Sequence, residues 1–289
     1  MNNYNLKILL FLIFIITINI FVSFFLVDVT NVETNKEIKI LNLVLYSSSY
    51  TFDKMKMITE KFYNKFKNVD TIYYKFSNDL DTDTELRGNV LHIKGDETYI
   101  PGILQKTIKA FEYFKNDLNN YDYIVRSNVS TIIRFDVLSD DLKTNPIDYG
   151  CSYCFGLEKE PNIHGIHEIH DNKIFSSGTS IILTPNIVRH IIKHKRMIDM
   201  NTIDDVSIGK FILENIPNIK MTPILGSSVF VNGFYIVSHE DSNEKIYEFI
   251  KNNDIAIFRH NNNGGNRKKD INQMTTTVEL LEKNDFERT

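Results

Sequence analysis

The sequence has no excess of positive charge, no Gly-x-Ser-x-Gly, no His-Glu-x-x-His and only two cysteines. Each absence removes a class of function. A formal net charge of −4 leaves no basic footprint for a polyanion, so nucleic acid is not an expected partner. Without Gly-x-Ser-x-Gly there is no nucleophile elbow, and Cys151 and Cys154 have no evident catalytic histidine context, so hydrolases fit poorly. His190 and His194 stand four apart on a helical stretch, but no glutamate accompanies them as a zinc protease would need. No internal repeat or long low-complexity tract appears. With 42% hydrophobic residues, 20 Phe and 14 Tyr among them, the 289 residues can bury a large core.

What is present begins with a charge-free apolar run, Ile8 to Val27, interrupted only by Thr17, Asn19 and Ser23. About 20 such residues match the roughly 30 Å hydrocarbon thickness of a bilayer. No small-residue cleavage site follows Val27, so an uncleaved membrane anchor is expected rather than a signal peptide. Lys7 precedes the run and Asp28 and Glu33 follow it, which places the N-terminus in the cytoplasm and the rest in a Golgi- or ER-like lumen or outside the cell, the type II arrangement. The expected organisation is a cytoplasmic segment 1–7, a transmembrane anchor 8–27, a polar stem 28–40, one folded domain over 41–282 and a tail 283–289.

Within that domain strands and helices alternate. Leu41 to Tyr46 reads as a buried strand, and Phe52 to Phe66 as a helix with Met55, Ile58, Phe62 and Phe66 on one side. Thr71 to Phe76 and Val90 to Ile93 read as strands, Ile103 to Phe114 as a second amphipathic helix, and Tyr121 to Arg126 as the next strand. This β-α-β-β-α-β order predicts an α/β fold with a mostly parallel sheet flanked by helices, where ligands sit beyond the carboxyl ends of the strands. Further on, Met221 to Leu225, Phe234 to His239 and Ile255 to His260 have the look of short strands, and Asn261 to Lys269 of a flexible basic loop.

The stretch Lys173 to Asn215 carries the chemistry. It reads as a buried strand with Ser177-Gly178-Thr179, a helix opened by Thr184-Pro185-Asn186, and a connector ending in Asp204-Asp205-Val206 before a further helix. Gly178 admits close approach of a ligand because it has no Cβ. Paired carboxylates at a helix start can supply a base and its orienting partner, although first-turn carboxylates favoured by the helix dipole are the plainer reading.

The order Gly178, apolar strand, helix, Asp204-Asp205-Val206, Gly209 resembles the fringe-like and β-1,3-galactosyltransferase group of GT-A glycosyltransferases. Two more segments resemble that group: Gly95 to Ala110, with Asp96, Tyr99, Leu104, Lys106 and Thr107 in comparable places, and the strand Asn120 to Thr131. The resemblance implies a GT-A-like, Rossmann-like domain behind one N-terminal membrane helix. It implies transfer of a sugar from a nucleotide-sugar, a UDP-sugar first, to a glycan or glycoprotein acceptor with inversion. Asp205 is then the base and Asp204 its partner, with Arg126, Asn128, Ser130, Gly178, Lys106 and His260 around the donor, and Arg259 and Arg267 suited to phosphate.

One departure bears on the cofactor. The strand runs into Ser127-Asn128-Val129-Ser130 where the group carries an Asp-x-Asp motif for Mn²⁺ or Mg²⁺, and neutral oxygens hold such hard ions poorly. Three outcomes stay open: Asn128 and Ser130 meet the donor with a cation such as Arg126 in place of the metal, or Asp136, Asp140 or Asp141 holds the metal, or catalysis has been lost. The last gives an inactive, membrane-anchored carbohydrate- or protein-binding domain. Asn128-Val129-Ser130 also spells an N-glycosylation acceptor, whose occupancy would block the site. Cys151-Ser152-Tyr153-Cys154 with His164, His167 and His170 allows zinc or a disulfide, with plain structural use ahead of both.

Overall fold

The computed structural model describes residues 37–152, 154–155, 175–224, 234–261 and 267–288. The apolar run 8–27, the histidines at 164, 167 and 170, and residues 262–266 of the basic loop lie outside them. Among the described residues no helix is long and apolar enough to cross a membrane. Residues Met1–Glu37 and Ile38–Thr289 are separate units, and the sheets and helices described belong to the second.

The first strand, β1 (Ile40–Leu45), shows how the sheet is built. Its alternation sends Ile40 and Val44 to one apolar cluster and Leu41 and Leu43 to the other, so both faces are buried. Helix α1 (Tyr50–Tyr63) follows, opened by Ser49, whose side chain accepts from the Phe52 N–H at 3.2 Å. It buries Met55, Thr59, Phe62 and Tyr63 on one stripe. Then come β2 (Val69–Ser77), β3 (Thr84–Arg87), β4 (Val90–Lys94), α2 (Gly102–Tyr113) and β5 (Tyr123–Asn128). The short hairpin strand β3 is the one strand of this half that was not expected. Its residues are largely exposed and charged, so no apolar pattern marks them.

The second half comprises β6 (Thr131–Ile133), α3 (Phe135–Thr144), β7 (Tyr149–Cys151), β8 (Cys154–Phe155), β9 (Phe175–Ser176), β10 (Ser180–Leu183), α4 (Pro185–Lys193) and α5 (Asp204–Asn215). It ends with β11 (Met221–Pro223), β12 (Phe234–Val237), α6 (Asn243–Asn252), β13 (Ile257–His260) and α7 (Arg267–Arg288). The main sheet has the order β11-β7-β10-β5-β1-β2-β4-β3. Its pairs β1–β2, β1–β5, β2–β4 and β7–β11 are parallel, while β10–β5, β10–β7 and β3–β4 run antiparallel. A second sheet joins β12, β13 and β6. Helices α1, α3, α6 and α7 supply one apolar cluster, and α2, α4 and α5 the other.

Three expectations are corrected. Ser177-Gly178-Thr179 is not inside a strand but forms the turn between β9 and β10. Residues Arg267–Lys269, expected in a loop, begin α7, and that helix continues through the expected tail to Arg288. Its long polar surface hides a buried stripe of Met274, Val278 and Leu281. Cys151 and Cys154, for which plain structural use was expected, form a disulfide, with Cα atoms 5.5 Å apart.

Candidate functional site

The site lies beyond the carboxyl end of β5, where the topology brings three segments together. Register pairs Leu45 of β1 with Asn128 of β5, so the two strands finish side by side. Strand β10 runs the other way with Ser180 opposite Ser127, and the turn before it therefore sits over the end of β5. The N-terminus of α5 meets that turn. Gly209 makes the approach possible: a Cβ there would lie 2.9 Å from the Phe175 Cα and 3.0 Å from the Tyr149 hydroxyl oxygen. That Tyr149 hydroxyl in turn accepts the Ser176 N–H at 2.8 Å. The glycine of the Asp-Asp-Val-x-x-Gly element thus packs the helix against β9, one turn below the carboxylates.

Arg126 is the centre of the arrangement and is 1% exposed. It stands on the α2–α4–α5 side of the sheet, the side of Ile124, by the strand's period of two. Its Nη2 meets Asp204 Oδ2 at 2.5 Å. Its Nη1 donates to Asn128 Oδ1 at 3.1 Å and to the Gly178 carbonyl. Asp204 is buried and Asp205 half-buried, and they are the first two residues of α5 rather than a connector before it. Asp205 Oδ2 accepts the Gly178 N–H at 2.8 Å and Oδ1 its neighbour Val206 N–H at 2.9 Å. Gly178 is needed here for the protein's own side chains. A Cβ would stand 3.0 Å from Arg126 Nη1 and 3.2 Å from Asp205 Oδ2.

The two carboxylates have different surroundings. Asp204 shares the charge of Arg126, and this pairing keeps the guanidinium charged against the desolvation of its buried position. Among the described residues Asp205 has no ion-pair partner of its own. Burial first, and the charge of Asp204 second, push its carboxyl up to about 6, with the Gly178 N–H and Arg126 acting the other way. A carboxylate in this range, fixed by two N–H groups, can take a proton from a hydroxyl near neutral pH. Tyr99, 68% exposed on the loop before α2, lies close enough to feel both carboxylates.

The remaining expected donor residues fall into two places. Lys106 is buried, with Nζ donating to the Tyr46 carbonyl and Ser47 Oγ at 3.1 Å each and to Glu97 Oε2 at 2.6 Å. It secures the end of β1 next to the site, and its partner Glu97 carried no sequence signal. His260 is fully buried, its Nε2 3.0 Å from Thr277 Oγ1, and burial pushes its pKa down to about 3. The contact with a donor expected of this ring is therefore not available to it; the structure places it in the core as a neutral group.

The neighbour Arg259 is half-buried and reaches the site instead. Its Nη1 donates to Ser130 Oγ. Register sets Arg259 opposite Thr131, whose Oγ1 donates to the Thr179 carbonyl at 3.3 Å in the same turn that holds Asp205. Burial first, then the charges of Arg267 and Arg126, lower Arg259 to about 9, with the carboxylate of Asp270 acting the other way.

The acidic metal candidates do not converge on this position. Asp136 pairs with Arg134 at 2.8 Å, Asp140 with Lys143 at 3.1 Å, and Asp141 accepts from Asn145 at 2.9 Å. Among the described residues no group of three His, Cys, Asp or Glu could hold a metal ion. Asn128 Oδ1 and Ser130 Oγ, the neutral oxygens standing where carboxylates were expected, each already accept a guanidinium N–H. That donor set does not fit a hard divalent cation.

No family model matches the chain, and no curated protein matches its sequence. Among solved structures it is similar to a glycosyltransferase involved in the glycosylation of the major capsid of PBCV-1, with a TM-score of 0.45 at 12% identity, over 82% of this chain and 98% of that one.

Proposed function

We propose that the protein is a glycosyltransferase that moves a sugar from a nucleotide-sugar, a UDP-sugar first, to a hydroxyl of a glycan or glycoprotein, with inversion. Residues 8–27 anchor it and hold the domain in the lumen or outside the cell. The observation that carries the reading is Asp205: a half-buried carboxylate raised to about 6 and aimed by two N–H groups, beside a carboxylate already spent on Arg126.

In the proposed reaction the acceptor O–H gives its proton to Asp205 as its oxygen bonds to the anomeric carbon. The bond from that carbon to the diphosphate oxygen breaks, and its electron pair leaves with the nucleotide. Asp204, held by Arg126, fixes the α5 terminus and keeps Asp205 raised. Tyr99 offers an exposed aromatic face to the acceptor beside the base.

The test uses the full-length chain in detergent with a panel of nucleotide-sugars and simple glycoside acceptors, read as nucleotide release. Asp205→Asn is expected to slow release by about 100-fold or more while leaving nucleotide affinity unchanged. A variant rate within threefold of wild type refutes Asp205 as base. Nucleotide binding with no transfer to any acceptor favours the binding-domain alternative.

A further inference from the structure

We infer that Arg259, together with the Ser130 hydroxyl it holds, is the anion subsite of this centre and takes the donor's diphosphate without a divalent ion. The inference rests on the nucleotide-sugar reading given above and names the group that would recognise the phosphates.

Position comes first. A connected set of hydrogen bonds links Arg259 to the base: Arg259 to Ser130, Thr131 beside it to Thr179, Gly178 next in the turn to Asp205. The subsite and the base thus share one turn of chain. Charge comes second. Of the neighbouring cations, Arg126 has Asp204, and Arg267 has Asp270 at 2.6 Å. Among the described residues no carboxylate lies within 4.0 Å of Arg259.

The third point is direction. The fold lowers the pKa of Arg259, through burial and the charges of Arg267 and Arg126, with the carboxylate of Asp270 offsetting them only in part, whereas it raises that of Arg126. A cation placed for structure alone gains its compensation from the fold. Arg259 is compensated only in part, by an Asp270 whose ion pair is with Arg267, and an anionic ligand would supply the rest. A guanidinium suits phosphate oxygens because its planar fork can give two parallel N–H bonds. The neutral oxygens of Asn128 and Ser130, poor ligands for a divalent ion, are well matched to position two guanidinium groups instead.

The experiment is equilibrium titration of UDP, GDP and CMP into the full-length chain in detergent, in EDTA and in Mn²⁺, for wild type, Arg259→Gln, Arg259→Lys and Ser130→Ala. Wild type is expected to bind one nucleotide equally well in EDTA. Arg259→Gln should weaken that binding about 10- to 100-fold, the loss of a charge-assisted contact, with Arg259→Lys between the two. Ligand-free Arg259→Gln should unfold no earlier than wild type, since it removes a charge the fold disfavours; a purely structural arginine would behave in the opposite way. Should that variant unfold early, Ser130→Ala keeps the charge and decides: at least threefold weaker binding supports the subsite, and unchanged binding overturns it.

Binding that needs Mn²⁺, or that survives Arg259→Gln within threefold, overturns the inference and leaves the nucleotide-sugar reading standing. Failure of wild type to bind any of the three nucleotides in either condition overturns both.

Discussion

The end of β5 and the end of β13 each carry an arginine, one bonded to the Gly178 turn and the other to Ser130, and the fold treats them in opposite ways. Arg126 is enclosed, and Asp204 compensates its charge at 2.5 Å. Arg259 is half-buried and holds only a serine hydroxyl among the described residues. On the acidic side the contrast repeats, since Asp204 is paired and Asp205 is pushed up to about 6 by burial and by Asp204. The compensated pair is a fixture that positions the turn and the α5 terminus. The two groups without an ion pair among the described residues, one of each sign, are where a polar ligand gains most by binding, because the fold compensates their charge only in part.

The largest expected effect tests the fixture. Arg126→Leu leaves Asp204 charged and buried, which costs about 3–5 kcal/mol when one member of a buried pair is removed. Removing both in Arg126→Leu/Asp204→Leu should recover most of that loss, since the desolvation penalty of both ions goes with them. Denaturant midpoints of the full-length chain check both variants. A double variant no more stable than the single would mean that the pair's hydrogen bonds to Asn128 and Gly178, and not its charge, hold the site.

A smaller effect separates Asp205 from its neighbour. Its carboxyl is raised in the fold, from an ordinary value of 3.8 to about 6. The folded state therefore binds the proton more tightly than the unfolded chain between those values, and stability must fall as pH rises through that window. Above it the charged form costs stability; below it the contribution disappears. Comparing wild type with Asp205→Asn from pH 4 to pH 7, the variant should gain about 1–3 kcal/mol relative to wild type across that range. Turnover should move the other way and rise as pH passes about 6 and the base loses its proton. A pH-independent difference between the two proteins would show that Asp205 is not perturbed and would remove the main support for its role.

Much of this comparison was legible in the chain, and the part that was not has a physical reason. The strands β1, β2, β4 and β5 and the helices α1 and α2 follow from local period, because each buries a stripe that the sequence spells out. Asp204, Asp205 and Gly209 could be read from one local run, since one helix carries all three. What the chain did not announce is long-range pairing. Arg259 reaches Ser130 across 129 positions because β13 pairs with β6, and a three-residue strand leaves no periodic signature. The same holds for His260, which looked like a ligand contact and is buried against Thr277 of α7, a helix whose polar surface concealed its core stripe.

Gly178→Ala carries the smallest expected cost in stability and the most direct information on how the two halves communicate. The glycine was expected to make room for a sugar, and in the structure it makes room for Arg126 and Asp205. An added Cβ would stand 3.0 Å from Arg126 Nη1 and 3.2 Å from Asp205 Oδ2, close enough that each must give by a few tenths of an ångström. No positive φ is involved, so backbone strain is absent and the fold should lose only about 1 kcal/mol. The Gly178 N–H would still reach for Asp205, but along a displaced line, and the base would be misplaced relative to the anomeric carbon. Turnover should fall by about tenfold with nucleotide affinity held within threefold, because the added Cβ meets Arg126 and Asp205 while Arg259 is held by Ser130. Thermal unfolding, nucleotide titration and initial rates on the one variant check all three parts. A loss of nucleotide binding equal to the loss of turnover would mean that the turn couples base and anion subsite as a single unit, and the division between a fixed pair and two independent, partly compensated charges would fail.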